Sequence, residues 1–395
     1  MRLIKRQSVE KRSGRMFKNK FYIFSLIVGL VLALILVVAQ FPTARPVAKN
    51  IPIVMVNEDQ GPMGQKVADK LTDITKIGTG SQATTLKWTH KPTEKAVKQA
   101  MNQEKYYGAI VIPKDFTQKM RGVSKTGEPV QVEVLINQAK NATLANNVQV
   151  MLTGMVTKMS AGMGLTMLQQ LQQNQVPLQM VNTEALTNPI VPKVSVQHSV
   201  KEKNSASSAY FQPLWMASLF ATFLVFTAGK AVKIKQQRQL WQLRLGQIGF
   251  LTVTAAIVGV ATTGLVTHIL NYTYDDFGKI AIFSMIAAGA FMFIMFGLEM
   301  WLGFAALPII ALLMLFSAPL MQLAPEMIPA VYHDWLLPWL PIRFLLDGAK
   351  SIVYYQANLF NTNTFKLVVV GAVGLGLIFL SISKDWWLTK RRSTK

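Results

Sequence analysis

Four groupings of side chains in this sequence have types and spacings that invite a chemical reading. His333 and Asp334 are adjacent, the pairing of a base with the group that orients it. Glu58 and Asp59 stand side by side in "VNEDQG", where two carboxylates suggest a metal site. Lys233, Arg238, Trp241 and Arg244 put charge and an aromatic anchor into "KAVKIKQQRQLWQLRLG". Met155, Met159, Met163 and Met167 recur at every fourth position, one stripe of a helix whose thioethers adapt to many apolar shapes. Each has a plainer reading. No nucleophile is evident beside His333 and Asp334, and no converging ligand joins Glu58 and Asp59. That stretch reads instead as a turn: Asn57, Glu58 and Asp59 end a strand, Gly61 permits the reversal and Pro62 starts a helix. Core packing is the plainer use of the methionines, and contact with an apolar substrate or a second protomer is the other. There is no cysteine, which excludes a disulfide framework, a thiolate metal site and a cysteine nucleophile. There is also no GxxxxGK(S/T) loop to cradle phosphates.

The elements that must position these groups are mostly apolar. Of 395 residues, 51% are hydrophobic and only 15% charged, and the mean hydropathy is +0.30, too apolar for a chain that uses only water as solvent. Crossing about 30 Å of hydrocarbon takes about 20 helical residues. Six runs qualify: 21–41, 211–229, 246–270, 280–298, 305–323 and 367–382. The fourth and fifth are separated only by the residues around Glu299 and Trp301, which predicts a tight helical hairpin. Orientation follows from the flanking cations. Residues 1–20 carry eight Lys or Arg against Glu10, residues 230–245 carry five against none and the tail 384–395 carries five against Asp385, so these segments hold a net +16 of the formal +22. Both ends are therefore expected in the cytoplasm of a plasma-membrane protein, with the 42–210 region outside. The first run is read as a retained anchor, being longer than a signal-peptide core and lacking a small-residue cleavage site. The net charge does not indicate nucleic-acid binding, because the cations sit beside spans.

The 42–210 region alternates. Strand compositions occur at 51–57, 84–90, 107–113 and 129–137, with a weaker one at 193–200. Helical patterns lie between them at 62–74, 92–105 and 113–120, each led by proline. A long helix over 141–175 then carries the methionine stripe. The expected fold is an α-helical polytopic membrane protein of six transmembrane helices, with an extracellular α/β domain inserted between helices 1 and 2. The extracellular 324–365 segment concentrates aromatics, Tyr332, Trp335 and Trp339 among them, and prolines that prevent one straight span.

This layout, with "VNEDQG" and "LPIRFLLDGAKSIVY" (340–354), resembles the ABC-2-type membrane permeases, in particular the YhgE/Pip branch and the related nitrosoguanidine-resistance-type membrane proteins. Lys350 stands where an arginine is common in that superfamily, and many members have a longer outside domain. The resemblance implies an export permease subunit that is not itself an enzyme. ATP and magnesium would then be held by a separate ABC ATPase subunit, with a similar permease as the dimer partner and the bilayer as surroundings. It also implies that Lys233, Arg238, Trp241 and Arg244 receive the ATPase stroke, with Val232, Gln236 and Gln239 on one helical face of that loop, and that Tyr332, Trp335, Trp339, Arg343, Asp347 and Lys350 lie over the exit. A surface receptor or secretion accessory fits the same layout. A proton-driven exporter fits less well, since the runs hold almost no ionisable groups; His268 and Glu299, at span ends, are read as interfacial.

Overall fold

The computed structural model of the chain describes residues 46–80, 83–173, 183–200, 207–234 and 236–393, with seven positions between 30 and 43. The basic segment 1–20 and most of the first apolar run lie outside the described residues.

The α/β domain is built on a six-stranded mixed sheet of β1 (Ile51–Asn57), β2 (Lys76–Ile77), β3 (Thr84–Lys91), β4 (Gly108–Ile112), β5 (Val130–Asn137) and β6 (Ile190–Gln197), in the order β2-β3-β1-β4-β5-β6. β1 is parallel to both β3 and β4, β5 is antiparallel to β4, and β6 is parallel to β5. The helices are α1 (Pro62–Thr72), α2 (Glu94–Asn102), α3 (Phe116–Thr126), α4 (Ala142–Gln173) and α5 (Thr183–Thr187). As a central strand buried on both faces, β1 is apolar throughout. Ile51, Ile53 and Met55 meet Leu71 of α1, Phe116 of α3 and Val148 of α4. Val54 and Val56 meet Val97 and Met101 of α2 on the other face.

Element boundaries depart from the sequence reading for local reasons. Thr93 caps α2 by accepting a hydrogen bond from the Ala96 amide at 3.3 Å, so Pro92 lies before the helix rather than in its first turn. α3 starts at Phe116, three residues later than expected, and ends at Gly127, whose φ of 72° is the left-handed conformation of a C-terminal stop. β6 begins at Ile190 and includes Pro192, which an edge strand tolerates.

Among the described residues, four helical stretches are long and apolar enough to cross a membrane: Ser208–Ala231, Gln237–Ile269, Phe277–Gln322 and Thr362–Trp387. They contain α6 (Phe211–Ala231), α7 (Gln237–Ile269), α8 (Phe277–Leu302), α9 (Ala306–Gln322) and most of α12 (Thr362–Ser393). Five of the six expected runs thus fall in these four stretches, with the fourth and fifth runs joined in one stretch of 46 residues, and the first, 21–41, lies mostly outside the described residues. That stretch is broken at Gly303, whose φ of 62° ends α8, and by the 3-10 turn Gly303–Ala305. Phe304 then packs on Phe223 and Phe226 of α6. At its far end α9 places Leu320 and Met321 around the same cavity as Leu346 and Asp347. Those two belong to the helix whose Gly348 lies against Phe283 near the start of α8. α9 therefore returns to the end from which α8 set out. In a bundle surrounded by lipid, helices associate through close packing, and Gly374 of α12 permits it: a Cβ there would lie 2.4 Å from the backbone of Phe293 and Ile294.

The expected 230–245 loop is shorter than the sequence suggested. α7 starts at Gln237, with Gln236 and Gln239 forming a reciprocal cap, so Val232 and Gln236 precede the helix instead of sharing one of its faces with Gln239. The 324–365 segment is cut by its prolines into the 3-10 turns Pro325–Met327 and Leu337–Trp339 and the helices α10 (Ala330–Trp335) and α11 (Pro341–Tyr355).

Candidate functional site

The α/β domain is fastened to the helical bundle by a polar junction centred on α11. Lys350 pairs with Glu104 at 3.0 Å and with Asp347 at 3.4 Å. The Ser351 hydroxyl donates to Glu104 at 2.8 Å, and the Tyr355 hydroxyl donates to Asn137 Oδ1 at 2.8 Å. His198 Nδ1 lies 3.0 Å from the Tyr354 carbonyl. A second fastening comes from Glu326, which accepts from the Tyr107 hydroxyl at 2.7 Å and pairs with Lys140 at 3.3 Å. A cavity of about 380 Å³ lies between the two, lined by Lys140, Arg343, Asp347 and Lys350 together with Leu320 and Leu323.

Electrostatics explain why these groups come paired. Burial pulls the Lys350 ammonium down, but Asp347 and Glu104 outweigh it and raise its pKa. At Lys140 burial prevails over Glu326 and the pKa is lowered. Burial, reinforced by Glu326, pushes the Tyr107 phenol well up, so it stays a donor at any physiological pH. The junction can therefore hold two ammonium groups in low-dielectric surroundings only while Glu104, Asp347 and Glu326 face them.

The opposite end of the bundle carries the basic grouping. Arg244 is buried, unlike its neighbours in sequence, donating to Asp385 and to Gln247, each at 2.6 Å. Gln247 in turn donates to the Val225 carbonyl at 3.1 Å. Arg244 thus braces α6, α7 and α12 against one another and does not face outward. Lys233 and Arg238 are exposed, and Trp241 is 41% exposed beside Phe379, so these three form the outward-facing part. Lys384 donates to the carbonyls of Met300 and Trp301, which ties the end of α12 to the end of α8.

Glu299 is enclosed within the helical bundle. It is 1% exposed, one oxygen accepting from Thr222 at 3.1 Å and the other without a hydrogen-bond partner among the described residues. Glu58 and Asp59 serve the turn: Glu58 accepts from the Glu94 amide, and Asp59 accepts from the Gly64 and Thr117 amides and the Thr117 hydroxyl. His333 and Asp334 form an exposed pair at 2.7 Å. Of the aromatic segment, Tyr332 donates to the Val38 carbonyl, while Trp335 and Trp339 are exposed. Arg343 pairs with Asp347 at 3.1 Å. Met155 is buried, and Met159, Met163 and Met167 are partly buried against the larger core of the domain.

The ABC-2 family transporter model matches residues 20–382, nearly the whole chain. This chain belongs to that family. No curated protein and no solved structure matches it. ABC-2 family proteins are membrane components of ABC exporters and work with an ABC ATPase subunit, which fits a chain without a phosphate-binding loop.

Sequence reasoning singled out Arg343, Asp347 and Lys350 but missed Glu104, which pairs with Lys350, and the second fastening of this ABC-2 protein, Glu326 with Tyr107 and Lys140. One signal was available: Glu326 is the only acidic residue between Glu299 and Asp334, a lone charge in an apolar, proline-rich stretch. Such a charge requires a partner when it is buried.

Proposed function

We propose that the chain is the permease subunit of an ABC exporter. In this reading it crosses the membrane six times with both ends in the cytoplasm, holds its α/β domain outside, and works as a dimer with a like subunit. ATP and magnesium sit on a separate ATPase. The observation that carries this reading is the polarity of the bundle. Lys230, Lys233, Arg238, Arg244 and Lys384 gather at one end, where Arg244 meets Asp385 and Lys384 meets the end of α8. The α/β domain is fastened at the other end through Glu104 and Lys350. Cations gather on the cytoplasmic side of a membrane protein, which supports an outside domain and a cytoplasmic face for the ATPase. Lys233, Arg238 and Trp241 are the groups that would bear on that partner, with Arg244 holding the helices that carry them.

Because the chain lacks cysteine, single introduced cysteines report topology directly. Glu128→Cys should react with an impermeant maleimide in intact cells, and Gln237→Cys only after permeabilisation; the reverse pattern would sink the proposed orientation. Purifying the full chain should bring down an ABC ATPase, identified by mass spectrometry, and Arg238→Ala with Trp241→Ala should release it. A proton-driven exporter is the second reading, favoured by the buried Glu299, one oxygen of which has no hydrogen-bond partner among the described residues. Transport under a pH gradient without nucleotide, abolished by Glu299→Gln, would decide for it.

A further inference from the structure

On the α/β domain, away from the junction, α1, β2 and α4 enclose a groove of about 1020 Å³. This is at the upper end of the range for small-molecule sites, roughly 300–1,000 Å³. It follows α4 from Val150 to Gln170, about 30 Å at the α-helical rise. Six methionines line it: Met63 from α1 and Met151, Met155, Met159, Met163 and Met167 from α4. Their unbranched thioethers conform to a flexible alkyl chain without demanding one shape.

The charged groups around the groove are all of one sign. Lys66, Lys70, Lys76 and Lys158 line it and, among the described residues, no carboxylate does. All four are exposed, and none makes an ion pair or a side-chain hydrogen bond among the described residues. Two glycines of α4, Gly154 and Gly162, also lie along the groove, and a Cβ on either would meet nothing within 4 Å. Glycine is disfavoured inside a helix relative to alanine. Here close packing against the protein does not require it, since the space above both positions is open. Gly164, two residues on, is the contrast: a Cβ there would lie 2.2 Å from the Leu186 carbonyl oxygen.

We propose that this groove binds an anionic amphiphile, with a single long alkyl chain along the methionines between Met151 and Met167 and an acidic head group held by the lysines at its rim. A second copy of the chain is the poorer occupant, because pairing two such faces would set eight lysines against one another with no carboxylate between them. The inference names a substrate class for the export function proposed above and rests on that reading only for the direction of traffic. Occupancy itself needs neither nucleotide nor ATPase.

The test uses the full chain in phosphatidylcholine nanodiscs, without nucleotide or partner, and hexadecanoic acid carrying an alkyl diazirine. After irradiation, mass spectrometry should place adducts in 62–77 and 150–170. Hexadecanoic acid and hexadecyl phosphate should compete at least about tenfold better than hexadecanol, the discrimination expected of a charge-assisted contact. Gly154→Phe with Gly162→Phe should fill the groove and abolish these adducts, whereas the alanine pair at the same positions should leave them and show that the helix is intact. Lys66→Gln with Lys158→Gln should keep the adducts but lose the preference for acid over alcohol. Adducts confined to α6, α7, α8, α9 and α12, or adducts unchanged by the phenylalanine pair, would overturn the proposal. So would an efficient disulfide between two chains through Met159→Cys, which would make the groove a protomer interface. Loss of the adducts leaves the permease reading standing, and failure of an ATPase to copurify leaves the groove standing.

Discussion

Lys350→Met should loosen the α/β domain from the bundle by an amount that can be worked from the geometry. The replacement keeps the apolar stem and removes an ammonium 3.0 Å from Glu104 and 3.4 Å from Asp347. Breaking a fully buried pair costs about 3–5 kcal/mol, and an exposed pair is worth about 0–1 kcal/mol. The side chains of Lys350, Glu104 and Asp347 are 19%, 26% and 34% exposed, which places this junction between those limits. The expected loss is about 2 kcal/mol, or about 30-fold in the opening equilibrium. Asp347 retains Arg343, so most of the penalty falls on Glu104. Hydrogen exchange on the full chain in nanodiscs reads this as faster exchange in α11 and α2. Glu104→Gln should cost less, about 1 kcal/mol, because its amide oxygen can still accept from Ser351. The double variant should fall short of the sum by about 1 kcal/mol, the coupling of groups in contact. Lys350→Arg, which keeps the cation beside Glu104 and Asp347, should hold the domain nearly as well. Unchanged protection in Lys350→Met, or strictly additive single variants, would refute the pairing as the domain's fastening.

Three further outcomes are expected. Gly374→Leu would drive a side chain into the Phe293–Ile294 backbone and should destabilise the α8–α12 contact by about 3 kcal/mol or more, read as a lower thermal midpoint and lower yield in nanodiscs. Arg244→Met should remove the guanidinium that holds Asp385 and Gln247 and cost about 2–4 kcal/mol, read as early proteolysis of the end of α12, without moving exchange in the α/β domain. Asp59→Asn should cost about 1–2 kcal/mol in the protection of α1 and α3 at neutral pH. At Asp59 burial acts to raise the pKa, but hydrogen bonds from Thr117, Gly64 and Gly61 prevail and hold it below the ordinary 3.8. Its stabilisation is therefore present above pH 3.8 and is lost as pH falls through the depressed value. The gap between wild type and variant should close with acidification; a gap that persists when Asp59 is protonated would mean that the charge is not what the turn uses.

The sequence alone settled whatever depends on chemistry along one dimension. Apolar runs at 211–229, 246–270, 280–298, 305–323 and 367–382 are legible because lipid requires long, continuous helices. The strands at 51–57, 84–90, 107–113 and 129–137 are legible because buried strands are rich in apolar and β-branched residues and are bounded by turn formers. Only the tertiary structure decided what each polar group does, because its partner is distant in the chain. Arg244 looked like an outward cation, yet Asp385, 141 residues away, turns it inward. Glu299 sat at the end of an apolar run, but helix packing encloses it against Thr222, 77 residues earlier. Lys350 and Tyr107 acquire their roles only when folding brings Glu104 and Glu326 to them. Hydrophobic patterning reflects a preference for one solvent, which each residue carries by itself. Pairing of buried charges is a property of two residues together, and no reading of either one predicts where the other will be.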